Sequence, residues 1–228
     1  GGRAAFAAAS PKGRQVCVAG ANSGTIVVID TAVNAVTARI PVPAGPPRFL
    51  AFAPDGRTLY VSVWNDERTV HAVSVLDTTT NTIVATIPVR TRPFLAAVTP
   101  DGKRLYVPNH DSGTISVIDT ATRKITKEIS VAPNPHWVAF SPDGALAYTA
   151  NHESNLVSVL DAATDTVIAT VPVGKSPHSL TVHPTRPLVA NVNYDDASVT
   201  MIDTTVRKVV ATIPVGRNPQ NIAWAPDG

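Results

Sequence analysis

Residues 136–173 read HWVAFSPDGALAYTANHESNLVSVLDAATDTVIATVPV and contain one complete copy of a repeat that recurs along the chain. It contains four short runs that are β-branched or alternate apolar with polar residues, at 136–141, 145–151, 156–161 and 166–173. Runs of this length, separated by turn residues, predict β-strands. No window shows the 3.6-residue periodicity of an amphipathic helix, so we expect no continuous helix.

The same pattern recurs along the whole chain. Pro-Asp-Gly or a degenerate copy of it begins at Pro11, Pro54, Pro100, Pro142, Pro184 and Pro226. An aspartate that closes an alternating apolar run stands at Asp30, Asp77, Asp119, Asp161 and Asp203. Four antiparallel strands every 40-odd residues match the period of a β-propeller blade. The sequence therefore predicts an all-β propeller of four-stranded blades.

Each repeat carries two turn signals. In Pro-Asp-Gly, proline pre-sets φ and glycine tolerates a positive φ, which predicts a tight turn between strands A and B of a blade. Asp-Thr pairs such as Asp119-Thr120 can bond their own backbone, which predicts the turn between strands C and D. We interpret both signals as structural.

The units resemble the YVTN-type β-propeller repeat. The local versions of its Tyr-Val-Thr-Asn strand are residues 60–63 (YVSV), 106–109 (YVPN), 148–151 (YTAN) and the drifted 190–193 (ANVN) and 17–20 (CVAG). The resemblance implies a ring that is commonly seven-bladed, and an extracytoplasmic place in surface-layer, periplasmic or receptor proteins. Propellers host many functions, so it implies no particular activity.

The repeats predict blades at about 4–46, 47–92, 93–134, 135–176 and 177–218, with an extra strand A at Asn221–Ala225 inside the remaining segment 219–228. One interpretation is part of a larger, seven-bladed ring, whose open blade edges would favour self-association. The other is a five-bladed ring in which the extra strand completes the first blade and displaces Ala4–Ser10. The start at Gly-Gly without methionine suggests a processed or excised chain.

Composition excludes several classes of protein. The formal charge of +2 arises from 19 basic and 17 acidic residues scattered along the chain, so we expect no nucleic-acid partner. Cys17 is the single cysteine, which excludes an intramolecular disulfide and a multi-cysteine zinc site. No apolar run is long enough for a membrane span.

A candidate binding face follows from the repeat, because the D–A and B–C connections of propeller blades lie on one face. Position-matched residues at the entry to strand A are Arg48, Phe94, His136, His178 and Gln220. Matched B–C connections carry His110, His152 and Tyr194. Blade 2 has four extra residues within 64–71 (WNDERTVH), and we expect an inserted polar loop in which Trp64 is exposed and can contact a ligand. Variable residues at matched positions indicate a surface where packing does not dictate identity.

Four of the six histidines fall on this face, next to Asp111 and Glu153. Repeat duplication alone pairs His110 with His152 and His136 with His178, so we interpret them as solvated or turn-bonding and expect neither a metal nor a cofactor. A phosphate loop, a nucleophile elbow and a covalent haem motif are all absent from the sequence.

We therefore expect a non-catalytic, sensor-type binding module for a protein, a peptide or an envelope component. A structural surface-array protein is the first alternative. A propeller lactonase or lyase, with Glu153, His136 and His178 around the channel, is the second.

Overall fold

Four-stranded antiparallel sheets recur along the chain in the computed structural model, which describes residues 4–225 and 227–228. This part of the chain contains five such sheets, and its one helical segment is a 3₁₀ turn at His110–Ser112. The prediction of an all-β propeller of four-stranded blades is confirmed. Pro226, which begins the last Pro-Asp-Gly copy, lies outside the described residues.

Within every sheet the strands pair in chain order. The first sheet consists of β1 (Ala4–Ala9), β2 (Gln15–Gly20), β3 (Thr25–Asp30) and β4 (Ala35–Pro41). The second consists of β5 (Pro47–Phe52), β6 (Thr58–Trp64), β7 (His71–Asp77) and β8 (Thr82–Pro88). The third is β9 (Ala97–Val98), β10 (Arg104–Asn109), β11 (Thr114–Asp119), β12 (Lys124–Ser130). The fourth consists of β13 (Pro135–Phe140), β14 (Leu146–Asn151), β15 (Leu156–Asp161) and β16 (Thr166–Pro172). The fifth consists of β17 (Pro177–Val182), β18 (Leu188–Asn193), β19 (Ser198–Asp203) and β20 (Lys208–Pro214).

The chain forms two compact units. Unit 1 contains the residues up to Val107 together with Ile118–Lys124, and unit 2 contains Pro108–Val117 and the chain from Ile125 onward. Each unit has an apolar core of its own.

In each sheet the two middle strands are more buried than the fourth strand. In β14 and β15 nearly every residue is buried, which explains why these strands read as almost continuous apolar or small-residue runs. In the outer strand β16 most residues are exposed, and Val171 is the one that is buried. It packs with Leu180 and Val189 of the next sheet, in the core of unit 2.

The fourth strand of every sheet has an apolar residue at the position that corresponds to Val171, and its burial shows whether another sheet packs against that side. Ile40, Ile87, Ile129 and Val171 are between 2% and 6% exposed, whereas Ile213 on β20 is 47% exposed. Ile40 belongs to a cluster that includes Leu50 and Leu59 from the following sheet. The apolar side of a blade is thus buried by the blade that follows it.

Both predicted turn signals are confirmed as structural. The Gly56 amide donates to the Ala53 carbonyl at 2.9 Å, and Gly56 has φ 72°. The Thr78 hydroxyl in the C–D turn donates to the Gly56 carbonyl at 2.8 Å, so the two turns of a blade are bonded together. Hydrogen bonds from Thr122 lower the pKa of Asp119, which closes the matching turn of the third sheet.

The extra strand expected at Asn221–Ala225 is absent, since the described residues after Pro214 form no strand. β1 pairs with β2 in antiparallel orientation, and Ala7 lies opposite Val18. The interpretation in which the end of the chain displaces Ala4–Ser10 is therefore wrong, because the edge it requires is already paired.

Replacing Ile40 and Ile213 by alanine, one at a time, compares the stability contributed by a buried and by an exposed residue at the same position of a sheet. We expect Ile40→Ala to lower the free energy of unfolding by about 3 kcal/mol, because it leaves a cavity in a closed core. Ile213→Ala should cost only about 0.5 kcal/mol. Urea unfolding followed by circular dichroism measures both, and equal losses would contradict this account of how the sheets are covered.

Candidate functional site

β-Bulges aim the side chains at the entry to strand A. In the fourth sheet Pro135 lies opposite Asn151 and Trp137 opposite Ala150, so His136 is the extra residue of a β-bulge. The same shift makes His178 the extra residue of β17 and Arg48 that of β5. Bulges re-aim a side chain away from the regular alternation of a strand. The bulges therefore turn these three side chains out of the regular alternation of their strands.

Four imidazoles meet in unit 2, and we call His110, His136, His152 and His178 the histidine platform. The His136 ring lies 4.9 Å from the His110 ring, 4.8 Å from His152 and 4.6 Å from His178, between centroids. His136 and His152 are nearly parallel, with 18° between their planes. His110 and His136 are buried, so the interpretation of these two as solvated loop residues is wrong.

Two members of the platform have one ring nitrogen tied to an acceptor. His110 Nδ1 is 2.7 Å from Asp111 Oδ1, and His178 Nδ1 is 3.1 Å from the Gln220 carbonyl oxygen. A carboxylate and a carbonyl oxygen can only accept, so in both residues Nδ1 carries the proton. Nε2 is then the nitrogen with the lone pair.

Burial lowers the pKa of His178 below its usual value. The nearby His152 and His110 lower it further, while the hydrogen bond to Gln220 opposes the shift. Neutral imidazole is the form that ligates metals. His178 is therefore in the ligand-competent form at neutral pH.

The other predicted residues of unit 2 lie at the edge of the platform. The Tyr194 ring is 5.9 Å from the His178 ring, and Asn218 donates to its hydroxyl at 3.0 Å. Gln220 takes part through its backbone carbonyl.

The predicted residues of unit 1 form a second cluster. The Arg48 guanidinium lies 4.2 Å from the Trp64 ring centroid, and the Phe94 ring stacks on Trp64 at 5.7 Å. Trp64 is the last residue of β6 and is 7% exposed, so the expectation of an exposed tryptophan is wrong. Sequence reasoning missed Arg92, which lies 4.6 Å from the same indole. Its one signal was an arginine at a turn position that other repeats fill with Asn134, Ser176 and Asn218.

The described residues include no group of three or more His, Cys, Asp or Glu side chains arranged around a single metal ion. Burial raises the pKa of the Cys17 thiol to about 11, which keeps it protonated and unreactive. No helix in the described part of the chain is long and apolar enough to span a bilayer.

Sequential four-stranded antiparallel blades define a β-propeller. The profile of the Cytochrome D1 heme domain family matches residues 67–193, more than half of the chain. The chain belongs to this family, and the matched segment contains all four platform histidines. The strands of the chain resemble the YVTN repeat, but the comparisons do not assign the chain to that type of propeller.

Two solved structures share the fold. Hydrazine synthase of Kuenenia stuttgartiensis matches with a TM-score of 0.86 and 23% identity, over 97% of this chain and 70% of that one. A functionally unknown protein from Desulfotomaculum acetoxidans DSM 771 matches with a TM-score of 0.83 and 16% identity, over 96% and 74%. One of the two is an enzyme by name, so the fold also serves catalysis. Comparison with curated protein sequences finds no match.

The family name implies a haem, and the donor set of unit 2 fits one. Imidazole is a common axial ligand of haem iron, and a haem requires only one or two such ligands because the macrocycle supplies the others. A ligating histidine normally donates its second ring N–H to a carboxylate or a backbone carbonyl. His110 with Asp111 and His178 with Gln220 have this arrangement.

The lowered pKa of His178 predicts a pH-dependent stability. The unfolded chain binds this proton more readily than the folded one, so stability is full above the ordinary pKa of about 6.5 and falls as the pH drops through the lower folded value. The slope reaches at most about 1.4 kcal/mol per pH unit per proton. Urea unfolding between neutral and mildly acidic pH should show a flatter profile for His178→Gln. His71→Gln should keep the wild-type profile, and superimposable profiles for all three proteins would contradict the assignment.

Proposed function

We propose that this chain is a haem-binding propeller module in which a residue of the histidine platform would ligate the haem iron. The observation that carries the proposal is the pair of oriented imidazoles, His110 held by Asp111 and His178 held by the Gln220 carbonyl. When bound, a haem supplies an iron centre that can exchange electrons or hold a small ligand. The proposal concerns binding and assigns no reaction.

Each residue of the platform has a distinct role in this proposal. His178 and His110 are the candidate iron ligands, since Nδ1 of each is already engaged. His136 and His152 present stacked, flat rings beside them, a surface against which a macrocycle can pack. Asp111 is a positioning residue, because its carboxylate holds the tautomer of His110.

The low pKa of His178 supports the same role. A protonated imidazole must lose its proton before it can bind iron, which weakens binding in acid. Burial and the neighbouring histidines keep His178 neutral, so it needs no such step near neutral pH.

The proposal replaces the protein or peptide ligand expected from the sequence with a tetrapyrrole on the same connections. It retains the extracytoplasmic location that the YVTN resemblance implied. Fractionation of the source cells tests the location, and recovery in the cytoplasmic fraction would exclude it.

Titration with haemin tests the binding proposal. We expect one equivalent to bind, with a Soret shift and an electron paramagnetic resonance spectrum typical of imidazole-ligated ferric haem. His110→Ala/His178→Ala should lose this signature. Asp111→Asn should bind about tenfold more weakly while keeping His110 in place.

His71→Gln is the matched control, because it removes a histidine of unit 1 and leaves the platform intact. Haemin adsorbed on apolar surface would bind the double variant and the wild type alike, with the same spectrum. That result, or the absence of a saturable Soret change in the wild type, would overturn the proposal.

A further inference from the structure

The first copy of the Pro-Asp-Gly turn carries Lys12 in place of the aspartate, yet it keeps the backbone of the other copies. The Gly13 amide donates to the Ser10 carbonyl at 2.8 Å. The matching bond in the third sheet, from Gly102 to Thr99, has the same length. Gly13 and Gly102 have φ values of 66° and 76°, both in the left-handed region. The lysine therefore replaces a carboxylate on an otherwise unchanged turn.

In the third and fourth sheets the aspartate of this turn accepts two hydrogen bonds. The Asp101 carboxylate accepts from the Thr99 hydroxyl at 2.6 Å and from the Lys103 amide at 3.0 Å. An equivalent pair of bonds holds Asp143. Because these bonds favour the charged form, they lower the pKa of Asp101. The turn is thus built to hold a negatively charged oxygen acceptor at this point.

The first sheet has the same two donors without that acceptor. The matching hydroxyl belongs to Ser10 and the matching amide to Arg14. Ser10 Oγ accepts from the Gln15 amide at 3.1 Å, which leaves its own proton to be donated. Neither this proton nor the Arg14 amide has an acceptor among the described residues. Lys12 cannot supply one, because an ammonium group only donates. An oxyanion from solution can accept both bonds.

The cleft beside this turn collects positive charge. It has a volume of about 320 Å³, and its charged lining residues are Lys12, Arg14, Arg57 and Asp55. None of the three cations forms an ion pair within the described part of the chain. Three cations against one carboxylate leave an excess of positive charge, which favours an anionic ligand.

The carboxylates beside these cations are already bonded. Asp55 accepts from the Arg57 amide at 2.8 Å. Asp77 accepts from the Thr79 hydroxyl at 2.6 Å and from the Thr79 amide at 2.8 Å. These bonds are the main reason why the pKa of Asp77 is lowered, and the charge of Arg57 contributes less. The cationic groups of the cleft can therefore take a further anionic partner.

The matching clefts of other sheets do not have this charge. The one between the second and third sheets is lined by Asp55 and Asp101, and its described lining contains no lysine or arginine. The matching cleft of unit 2 is lined by one carboxylate, Asp143, and one cation, Arg186. The blades share their turns and differ in this charge, so the fold does not require three cations at the first cleft.

We propose that this cleft binds a phosphate-type oxyanion where the other turns place their aspartate carboxylate. The Ser10 hydroxyl and the Arg14 amide orient the anion, and Lys12, Arg14 and Arg57 neutralise its charge. A phosphate group suits this set better than a carboxylate does, because it has more acceptor oxygens and carries a charge of about −1.5 to −2 at neutral pH. The site shares no residue with the histidine platform.

Thermal unfolding of the full chain in inorganic phosphate tests the proposal. We expect phosphate to raise the unfolding midpoint of the wild type more than sodium chloride of equal ionic strength does, because a ligand of the folded state stabilises it. Calorimetric titration should show saturable binding of phosphate. Acetate has two oxygens like an aspartate but a single charge, and it should bind more weakly.

Lys12→Asp restores the carboxylate of the repeat and should fill the site from within. Its midpoint in phosphate-free buffer should exceed that of the wild type by about 2–4 °C, because both donors regain an acceptor. Phosphate should then give no rise beyond that of sodium chloride. Lys12→Gln removes the cation without adding an acceptor, and it should bind phosphate about tenfold more weakly.

Lys124→Asp is the matched control, because it makes the same change of charge at an exposed position outside the cleft. Its affinity for phosphate should change by less than about twofold, since charges far apart on the surface are screened. Flotation with vesicles of phosphatidylglycerol, against vesicles of phosphatidylcholine, identifies the source of the phosphate group. Lys12-dependent flotation assigns it to a lipid headgroup, and phosphate binding without flotation assigns it to a soluble phosphate.

Four results would each overturn the proposal. They are equal effects of phosphate and sodium chloride on the wild type, acetate binding as tight as phosphate binding, wild-type affinity in Lys12→Asp, and an equal loss of affinity in Lys124→Asp and Lys12→Gln. None of these results depends on haem binding by unit 2.

Discussion

A four-stranded sheet of this chain buries its apolar side against the sheet that follows it, as Ile40 shows in unit 1 and Val171 in unit 2, and the rest of the structure depends on this packing constraint. It accounts for the almost fully buried middle strands and for the single buried residue on an outer strand such as β16. Isoleucine occupies the same position of the fourth strand at Ile40 and at Ile213, but the first side chain is buried and the second is exposed. The sequence repeats once per sheet, and much of the stability of the fold therefore comes from the contacts between successive sheets.

Because that contact occupies the strand bodies, the connections and the bulged entries to strand A can diverge. His136, His178 and Arg48 stand at equivalent bulges, yet the first two join a group of imidazoles and the third stacks on an indole. The scaffold determines where the side chain emerges, and the residue type determines its chemistry. A family with one fold can thus carry different sites.

The sequence was sufficient for the features that depend on local chemistry. Pro-Asp-Gly and Asp-Thr specify turns through their own backbone preferences, so strands such as Leu156–Asp161 could be placed directly. It was not sufficient for burial on the variable face. His110, His136 and Trp64 look like solvated loop residues when read along the chain, but all three are buried. Arg92 was missed because the sequence does not show that this turn residue reaches the Trp64 ring.

The proposed function requires that His110 and His178 are held with Nδ1 protonated and Nε2 unprotonated, as in iron ligands. Long-range ¹H–¹⁵N correlation spectroscopy of the ligand-free protein, with ¹⁵N-labelled histidine and above the ordinary histidine pKa of about 6.5, reads the tautomer of each imidazole. The account predicts the Nδ1–H tautomer for both residues, and at His110 its loss in Asp111→Asn. The Nε2–H tautomer at both positions in the wild type would contradict it.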